Sequence, residues 1–411
     1  MTHPRTAALT DPGLPELAVL LSTNPPAPLE VAVEALDGSV ASSRVGQVSW
    51  SPGRSVTVRF DVEVAGGPLE GRQIFIAAAG RIPDGALIIE DDGGARIGVW
   101  RFPHDPALPA LPSAIDPGEA ERVLVDLGGT PGPVTTHLRA YRPGRRAVVE
   151  VRGAAERMFF KVVRPKTIER LHQIHRTLAD VLPVPASLGY DDRLGLVVLQ
   201  AMDGITLREA MARPEVDLPD PGVVAGLVSD LPHPEGLEPA HSPLERAQQM
   251  MPMVAALCPE LTARLAKLSE GIGEETLPAD RPVHGDYYES QLMVVNGHIV
   301  GILDVDTYGL GRAADDPSTM LAHLSVWGPI SPQPERVRNY GNALLSIWDR
   351  LVDPADLRRR AAAMAFMLAT GPFRVQTPNW PEEIAARVAI AELWAESARR
   401  VDERTLMPFS E

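Results

Sequence analysis

Residues 281–316 read RPVHGDYYESQLMVVNGHIVGILDVDTYGLGRAADD. Two carboxylates punctuate the stretch: Asp286 in the run His284-Gly285-Asp286, and Asp304 after the apolar residues 298–303. Between them Asn296-Gly297 separates LMVV from HIVGIL, and that dipeptide between β-rich runs is the strongest short signal for a two-residue hairpin turn. A hairpin folds its flanking loops back to one end. Asp286, the amide of Gln291 and Asp304 are therefore expected together, with Asp306 and Asp316 just beyond.

Composition sets the frame around this stretch. A chain of 411 residues is too long for one compact core and suits two or three domains. Its 39 basic and 54 acidic residues leave a formal charge of −15, which repels nucleic acid and anionic membrane and favours a neutral or cationic partner. The single cysteine, Cys258, excludes an internal disulfide framework and agrees with a reducing compartment; it reads as a small apolar helix residue. Near the N-terminus LPELAVLL carries an acid and has no basic run before it, so neither a signal peptide nor a spanning helix is expected. The expectation is a cytoplasmic protein, monomeric by default.

Residues 28–100 read as strands, namely LEVAVEAL, VGQVSW, RSVTVRFDVEV, RQIFIAAAG and ALIIED, with Gly and Pro between them. The proline-rich run 100–118 reads as a connector laid over a surface, followed by the helical GEAERVLVDL. A second set of strands follows: THLRAYRPG, RRAVVEVRG and RMFFKVVR. Trp50-Ser-Pro-Gly53-Arg54 before SVTVRF matches Tyr141-Arg-Pro-Gly144-Arg145 before RAVVEV, and RQIFIAAA parallels RMFFKVVR. In that pairing Ile76 falls where the second copy has Lys161. The first set is expected to be a duplicated half-domain that caps the second.

Lys161 stands in FFKVV, amid aromatic and valine side chains, where a lysine either snorkels at an edge or serves a phosphate. The next helix, KTIERLHQIHRTLADVL, has Glu169 in its first turn, placed to pair with Lys161 or to favour the helix dipole. Beyond Pro183 and Pro185 a buried strand ends at Gln200, and the break at Met202–Gly204 leads into a helix. A strand end of this kind offers backbone groups to an adenine ring, or is an ordinary boundary. In the C-terminal half, PSTMLAHLSVW, PERVRNYGNALLSIWDRL, ADLRRRAAAMAFMLAT and PEEIAARVAIAELWAESARRV repeat apolar residues at helical spacing. The segment GPFRVQTPNWP interrupts them; Arg374 and Trp380 there would line an acceptor pocket or belong to a structural loop with a core Trp. The run 358–360, three arginines, reads as a solvated helix face.

One carboxylate to take a hydroxyl's proton, with a second carboxylate and a side-chain carbonyl to hold magnesium on phosphates, is the equipment of phosphoryl transfer. The stretch 281–316 supplies all three, and a strand lysine and a helix acid precede it in order. With these residues on the page, the sequence resembles the aminoglycoside phosphotransferase family of the protein-kinase-like superfamily over about residues 130–400. The family pattern H-G-D-x-x-x-x-N, then I-D, then D-L-A reads here as HGDYYESQ, LDVD and Asp316-Pro-Ser. The resemblance implies a bilobal α+β fold, with a β-rich N-lobe over residues 106–200, a helical C-lobe over 201–411, and an extra β-rich cap over 1–105.

By the same resemblance Asp286 would be the catalytic base, Gln291 and Asp304 the magnesium ligands, and Lys161 the lysine on the ATP phosphates. Glu169 would pair with that lysine, Gly144 would serve the phosphate loop, and Gln200 and Met202 would face adenine. His284, Asp306 and Asp316 would support the catalytic loop, Asp316 as its brace. Three departures are visible. Gln291 replaces the usual Asn, Tyr288 replaces a frequent histidine and so becomes an acceptor-site candidate, and RPGRR offers one glycine where protein kinases have several. Actinobacterial maltokinases and related glucosamine kinases also carry Gln there and a capping N-terminal domain, which points to a sugar or amino-sugar hydroxyl as acceptor. An antibiotic kinase, a Ser/Thr kinase of a precursor peptide and a nucleotide-binding pseudokinase are the alternatives.

Overall fold

The computed structural model describes residues 3–21, 25–90, 94–154 and 156–401. Its contacts divide it into two units. One comprises Met1–His172, Ser187–Ala201 and Gly371–Trp380; the other comprises Gln173–Ala186, Met202–Thr370 and Pro381–Glu411.

The first unit contains two antiparallel five-stranded sheets. β1 (Ser39–Ser51), β2 (Ser55–Ala65), β3 (Gly71–Ala79), β4 (Leu87–Glu90) and β5 (Arg96–Arg101) lie in the order β1-β2-β3-β5-β4. β6 (Thr135–Arg142), β7 (Arg146–Arg152), β8 (Arg157–Val163), β9 (Ser187–Asp191) and β10 (Leu196–Gln200) lie in the order β6-β7-β8-β10-β9. The two orders are the same. Alternation explains the strands: along β2 Val56, Val58, Phe60, Val62 and Val64 are buried while the residues between them face outward.

The likeness extends to a latch on each sheet. Asp11 accepts the Gly53 amide at 2.7 Å and the Trp50 indole N–H at 3.0 Å; Asp105 accepts the Gly144 amide at 2.7 Å and the Tyr141 hydroxyl at 2.8 Å. Each aspartate also takes an amide two residues on, from Gly13 and from Ala107. The sequence carries the sign of this in Asp11-Pro-Gly-Leu14-Pro-Glu-Leu17 and Asp105-Pro-Ala-Leu108-Pro-Ala-Leu111, a repeat that the strand comparison alone overlooks.

Three expectations for this region need correction. LEVAVEAL is not a strand: Ala27–Glu34 is a helix that starts at a proline and buries Leu29, Ala32 and Val33 on one face, a spacing that fits 3.6 residues per turn. The run 100–118 is not laid over the surface, because Leu108, Ala110, Leu111 and Ala114 enter the same core as Ile76 and Trp100 of the first sheet and Val149, Phe160 and Val162 of the second. And Lys161 pairs with Val148, whereas the ladder position equivalent to Val148 is Thr57, which pairs with Ala78. Counting from the shared Pro-Gly turns, where Trp50 faces Val56 and Tyr141 faces Ala147, the first copy has Ala78 at the lysine position and not Ile76.

The second unit is mainly helical, with Pro243–Leu257, Thr262–Ile272, Asp315–Trp327, Pro334–Trp348, Pro354–Leu368 and most of Trp380–Arg399. Short strands cross it: β11 (Ile205–Thr206), β12 (Arg281–Val283), β13 (Leu292–Val295), β14 (His298–Ile302) and β15 (Gly309–Gly311), with β11-β13-β14 in one sheet and β12-β15 in another. Arg358 and Arg360 overturn the reading of 358–360 as a solvated face, while Arg359 between them is half-buried. Arg358 is 2% exposed and pairs through both terminal nitrogens with Asp349, while Arg360 is 1% exposed and meets Asp356, Asp315 and Glu275. Buried guanidinium groups need such partners; Asp349 and Asp356 lie nearby in the chain, whereas Asp315 and Glu275 come from distant segments. No described helix is long and apolar enough to cross a membrane.

Candidate active site

β12 pairs with β15, Val283 opposite Gly309, and the chain leaves the ladder at His284. Gly285 has φ +80° and lies so close to the Thr307 carbonyl that a Cβ would approach it to 2.7 Å, so both conformation and space require glycine. Asp316, at the start of helix Asp315–Trp327, accepts the His284 amide at 2.7 Å with one oxygen and the Gly285 amide at 2.8 Å with the other. Burial pushes its carboxyl up to about 7, against the pull of the two amides and with help from the charges of Asp315 and Asp286.

The His284 ring fastens this loop to the hairpin. Its Nδ1 accepts the Asp286 amide at 3.2 Å, so Nε2 carries the proton and donates to the Leu303 carbonyl at 3.0 Å. Thr307 donates to the His284 carbonyl, and the Leu303 amide donates to the Gln291 carbonyl at 2.7 Å. The hairpin itself is as the sequence predicts: Val295 pairs with His298 across Asn296 (φ 48°) and Gly297 (φ 74°), both left-handed. Asp304, directly after Leu303, is also left-handed at φ 55°, ψ 50°, a conformation uncommon for residues with a Cβ but one that aspartate tolerates better than most. These bonds connect the segments bearing Asp286, Gln291 and Asp304, with Asp306 half-buried in the following turn Val305–Thr307.

Tyr288 stacks on His323 with ring centroids 3.9 Å apart. Burial and the negative charges of Asp286, Glu289 and Asp304 push its hydroxyl up to about 12. Glu289 is wholly buried and neither carboxylate oxygen has a hydrogen-bond partner; burial raises it to about 7, and Arg208 lies 3.5 Å away. The Arg208 guanidinium in turn sits 4.5 Å over the Trp327 ring. Sequence reasoning passed over Glu289, Arg208 and His323; only the place of Glu289 inside the HGD loop's own run was a signal.

The remaining candidates fall as follows. In the first unit Lys161 is 5% exposed in β8, flanked across the sheet by Val148 and Val197. Glu169 is exposed in the first turn of helix Ile168–Ala179, and Gln200 is the exposed last residue of β10. Gly144 turns at φ +66°, but its amide is held by Asp105, so this N–H is committed within the protein and is not offered to a phosphate. Arg374 is exposed beside a cavity, whereas Trp380 is fully buried, its indole N–H donated to Thr6, as the core-Trp alternative has it. In the second unit Met202 packs on Gly301, where a Cβ would meet it at 2.9 Å.

The donor chemistry suits the groups expected of such a site. Asp304 offers carboxylate oxygens and Gln291 an amide oxygen, hard donors appropriate to magnesium, and the Leu303–Gln291 hydrogen bond sets their segments side by side. Lys161, buried in a strand of apolar neighbours, is a cation that a phosphate would complement.

A model of the phosphotransferase enzyme family matches residues 137–361. Among solved structures, a thermostable mutant of the aminoglycoside phosphotransferase APH(4)-Ia, in complex with AMP-PNP and hygromycin B, is 14% identical; the match covers 70% of this chain and 99% of that one, with a TM-score of 0.47. A macrolide 2′-phosphotransferase type I is 15% identical, with 66% and 96% covered and a TM-score of 0.44. Choline kinase from Cryptosporidium parvum Iowa II is 12% identical, with 65% and 91% covered and a TM-score of 0.44. No curated protein matches the chain.

Proposed function

The chain belongs to the phosphotransferase enzyme family, and from that premise we propose that it moves the γ-phosphoryl group of ATP, with magnesium, to a hydroxyl of a sugar or amino sugar. The observation that carries this reading is the loop His284-Gly285-Asp286, held by Asp316 on one side and bonded through His284 and Leu303 to the segments of Gln291 and Asp304 on the other. ATP would supply the group transferred, and magnesium would neutralise phosphate charge.

In this reading Asp286 accepts the proton of the acceptor hydroxyl as that oxygen bonds to phosphorus and the bond to the bridging oxygen breaks. Gln291 and Asp304 hold the metal, Lys161 the phosphates, and the backbone at Gln200 and Met202 the adenine ring. Residues 1–105 act as a cap, 106–200 as the N-lobe and 201–411 as the C-lobe, the enzyme working in the cytoplasm. The amino-sugar class is supported by charge: Asp286, Glu289 and Asp304 all act on Tyr288, a surrounding that favours a cationic or hydroxyl-rich acceptor. An aminoglycoside acceptor is the second reading, favoured by the same acids. A screen of phosphoryl transfer from labelled ATP to sugars, amino sugars, aminoglycosides and peptides tests both. Label on sugars or amino sugars supports the first; label confined to peptides overturns it.

A further inference from the structure

Helix Asp315–Trp327 opens on two adjacent buried acids, and each fixes a different end of the β12–β15 ladder. Asp316 takes the amides of His284 and Gly285, which follow β12. Asp315 takes the Arg312 amide, just past β15, at 2.8 Å, and its carboxylate lies so near Gly311 that a Cβ there would approach it to 2.6 Å. Its carbonyl also accepts the hydroxyls of Ser318 and Thr319, at 2.7 and 2.9 Å. Neighbouring carboxylates in a buried helix start repel each other, and the charge of Asp315 is one reason, after burial, that the Asp316 carboxyl rises.

Arg360 answers that charge. Each of its three nitrogens meets a different carboxylate: Nη1 donates to Asp315 at 2.7 Å, Nη2 to Glu275 at 3.0 Å and Nε to Asp356 at 2.9 Å. Glu275 is itself held at 2.8 Å by the hydroxyl of Ser242, the N-cap of helix Pro243–Leu257. One guanidinium thus ties that helix and its own, Pro354–Leu368, to the start of Asp315–Trp327. Arg358 offers a contrast within the same helix. It is as deeply buried, yet its partners are Asp349, Ser397 and the Pro354 carbonyl, none of them within residues 275–316.

We propose that Arg360 is a positioning residue for phosphoryl transfer: through Asp315 it fixes the helix start from which Asp316 shapes the loop that carries Asp286. This inference rests on the proposed reaction, in which Asp286 takes the acceptor's proton. At 1% exposure Arg360 acts on that reaction only through the acids it holds. A small displacement of a proton acceptor lowers the rate steeply. Nucleotide affinity is spared, because Lys161 and the backbone proposed for adenine, at Gln200 and Met202, lie in other segments.

Hydrogen exchange and steady-state kinetics on the full chain test the proposal. The variants are Arg360→Lys, which keeps the buried cation but cannot fork to three carboxylates, and Arg358→Lys, a control of like burial. Exchange at the His284 and Gly285 amides should be about tenfold faster in Arg360→Lys and unchanged in Arg358→Lys. The kinetics use magnesium-ATP and whichever of glucosamine and maltose the wild type phosphorylates. Arg360→Lys should lower kcat about fivefold or more with KM for ATP unchanged, while Arg358→Lys leaves both as in the wild type. Unchanged exchange in Arg360→Lys, an equal loss in Arg358→Lys, or faster exchange with kcat intact would each overturn this inference alone. A wild type that phosphorylates neither sugar would overturn the proposed acceptor class and the role in transfer with it.

Discussion

Asp316 gives one oxygen to the His284 amide and the other to the Gly285 amide, and this single side chain sets the backbone that carries Asp286. Its carboxyl, raised by burial to about 7, binds a proton more readily in the folded than in the unfolded chain, so stability falls as pH rises from about 4 through 7. Asp316→Asn should flatten that slope in pH-dependent thermal melts while reducing turnover, because an amide can accept only one of the two N–H groups. An unchanged slope would show that Asp316 does not carry it. At Gln291, replacement by Asn shortens the reach to a metal by one methylene and should raise the magnesium concentration needed for half-maximal rate severalfold. Insensitivity to the change would show that residue 291 is not a ligand. Asp286, Asp304 and Gln291 were legible in the sequence because their spacing around an Asn-Gly turn is local information. Glu289 and Arg208 were not, since only folding shows that one is buried and the other lies beside it.

Elements show a similar division. The hairpin β13–β14 was legible because its turn chemistry admits one register, and the helices of the second unit because their apolar spacing is long and regular. LEVAVEAL satisfied both the alternating and the helical pattern over eight residues, and tertiary burial of Leu29, Ala32 and Val33 decided for helix. The offset of two between Ile76 and Ala78 arises because Arg72 pairs with Glu63, six residues past Thr57, whereas Arg157 pairs with Arg152, four past Val148, so alignment from the following strand drifts from alignment at the turn. Arg358 and Arg360 depended on Asp349, Asp315 and Glu275, partners that no local pattern names. Arg360→Met would leave Asp315 and Glu275 without their cation and should cost about 3–5 kcal/mol in denaturant unfolding; the companion change Asp315→Asn should recover part of that loss.

Across the whole molecule the two five-stranded sheets share one latch design, Asp11 on Gly53 and Trp50, Asp105 on Gly144 and Tyr141. Asp11→Ala removes hydrogen bonds to a charged acceptor and should destabilise the chain by about 1–3 kcal/mol in thermal or urea unfolding; a neutral result would make the first latch ornamental to stability. The central claim is that Asp286 takes the acceptor's proton while the rest of the site binds nucleotide without it. The most direct measurement is turnover of ATP with magnesium and an active acceptor, set beside nucleotide affinity, for the wild type and Asp286→Ala. A fall in turnover of about 10²–10⁴ with affinity unchanged is the predicted result; undiminished turnover in the variant would contradict the account.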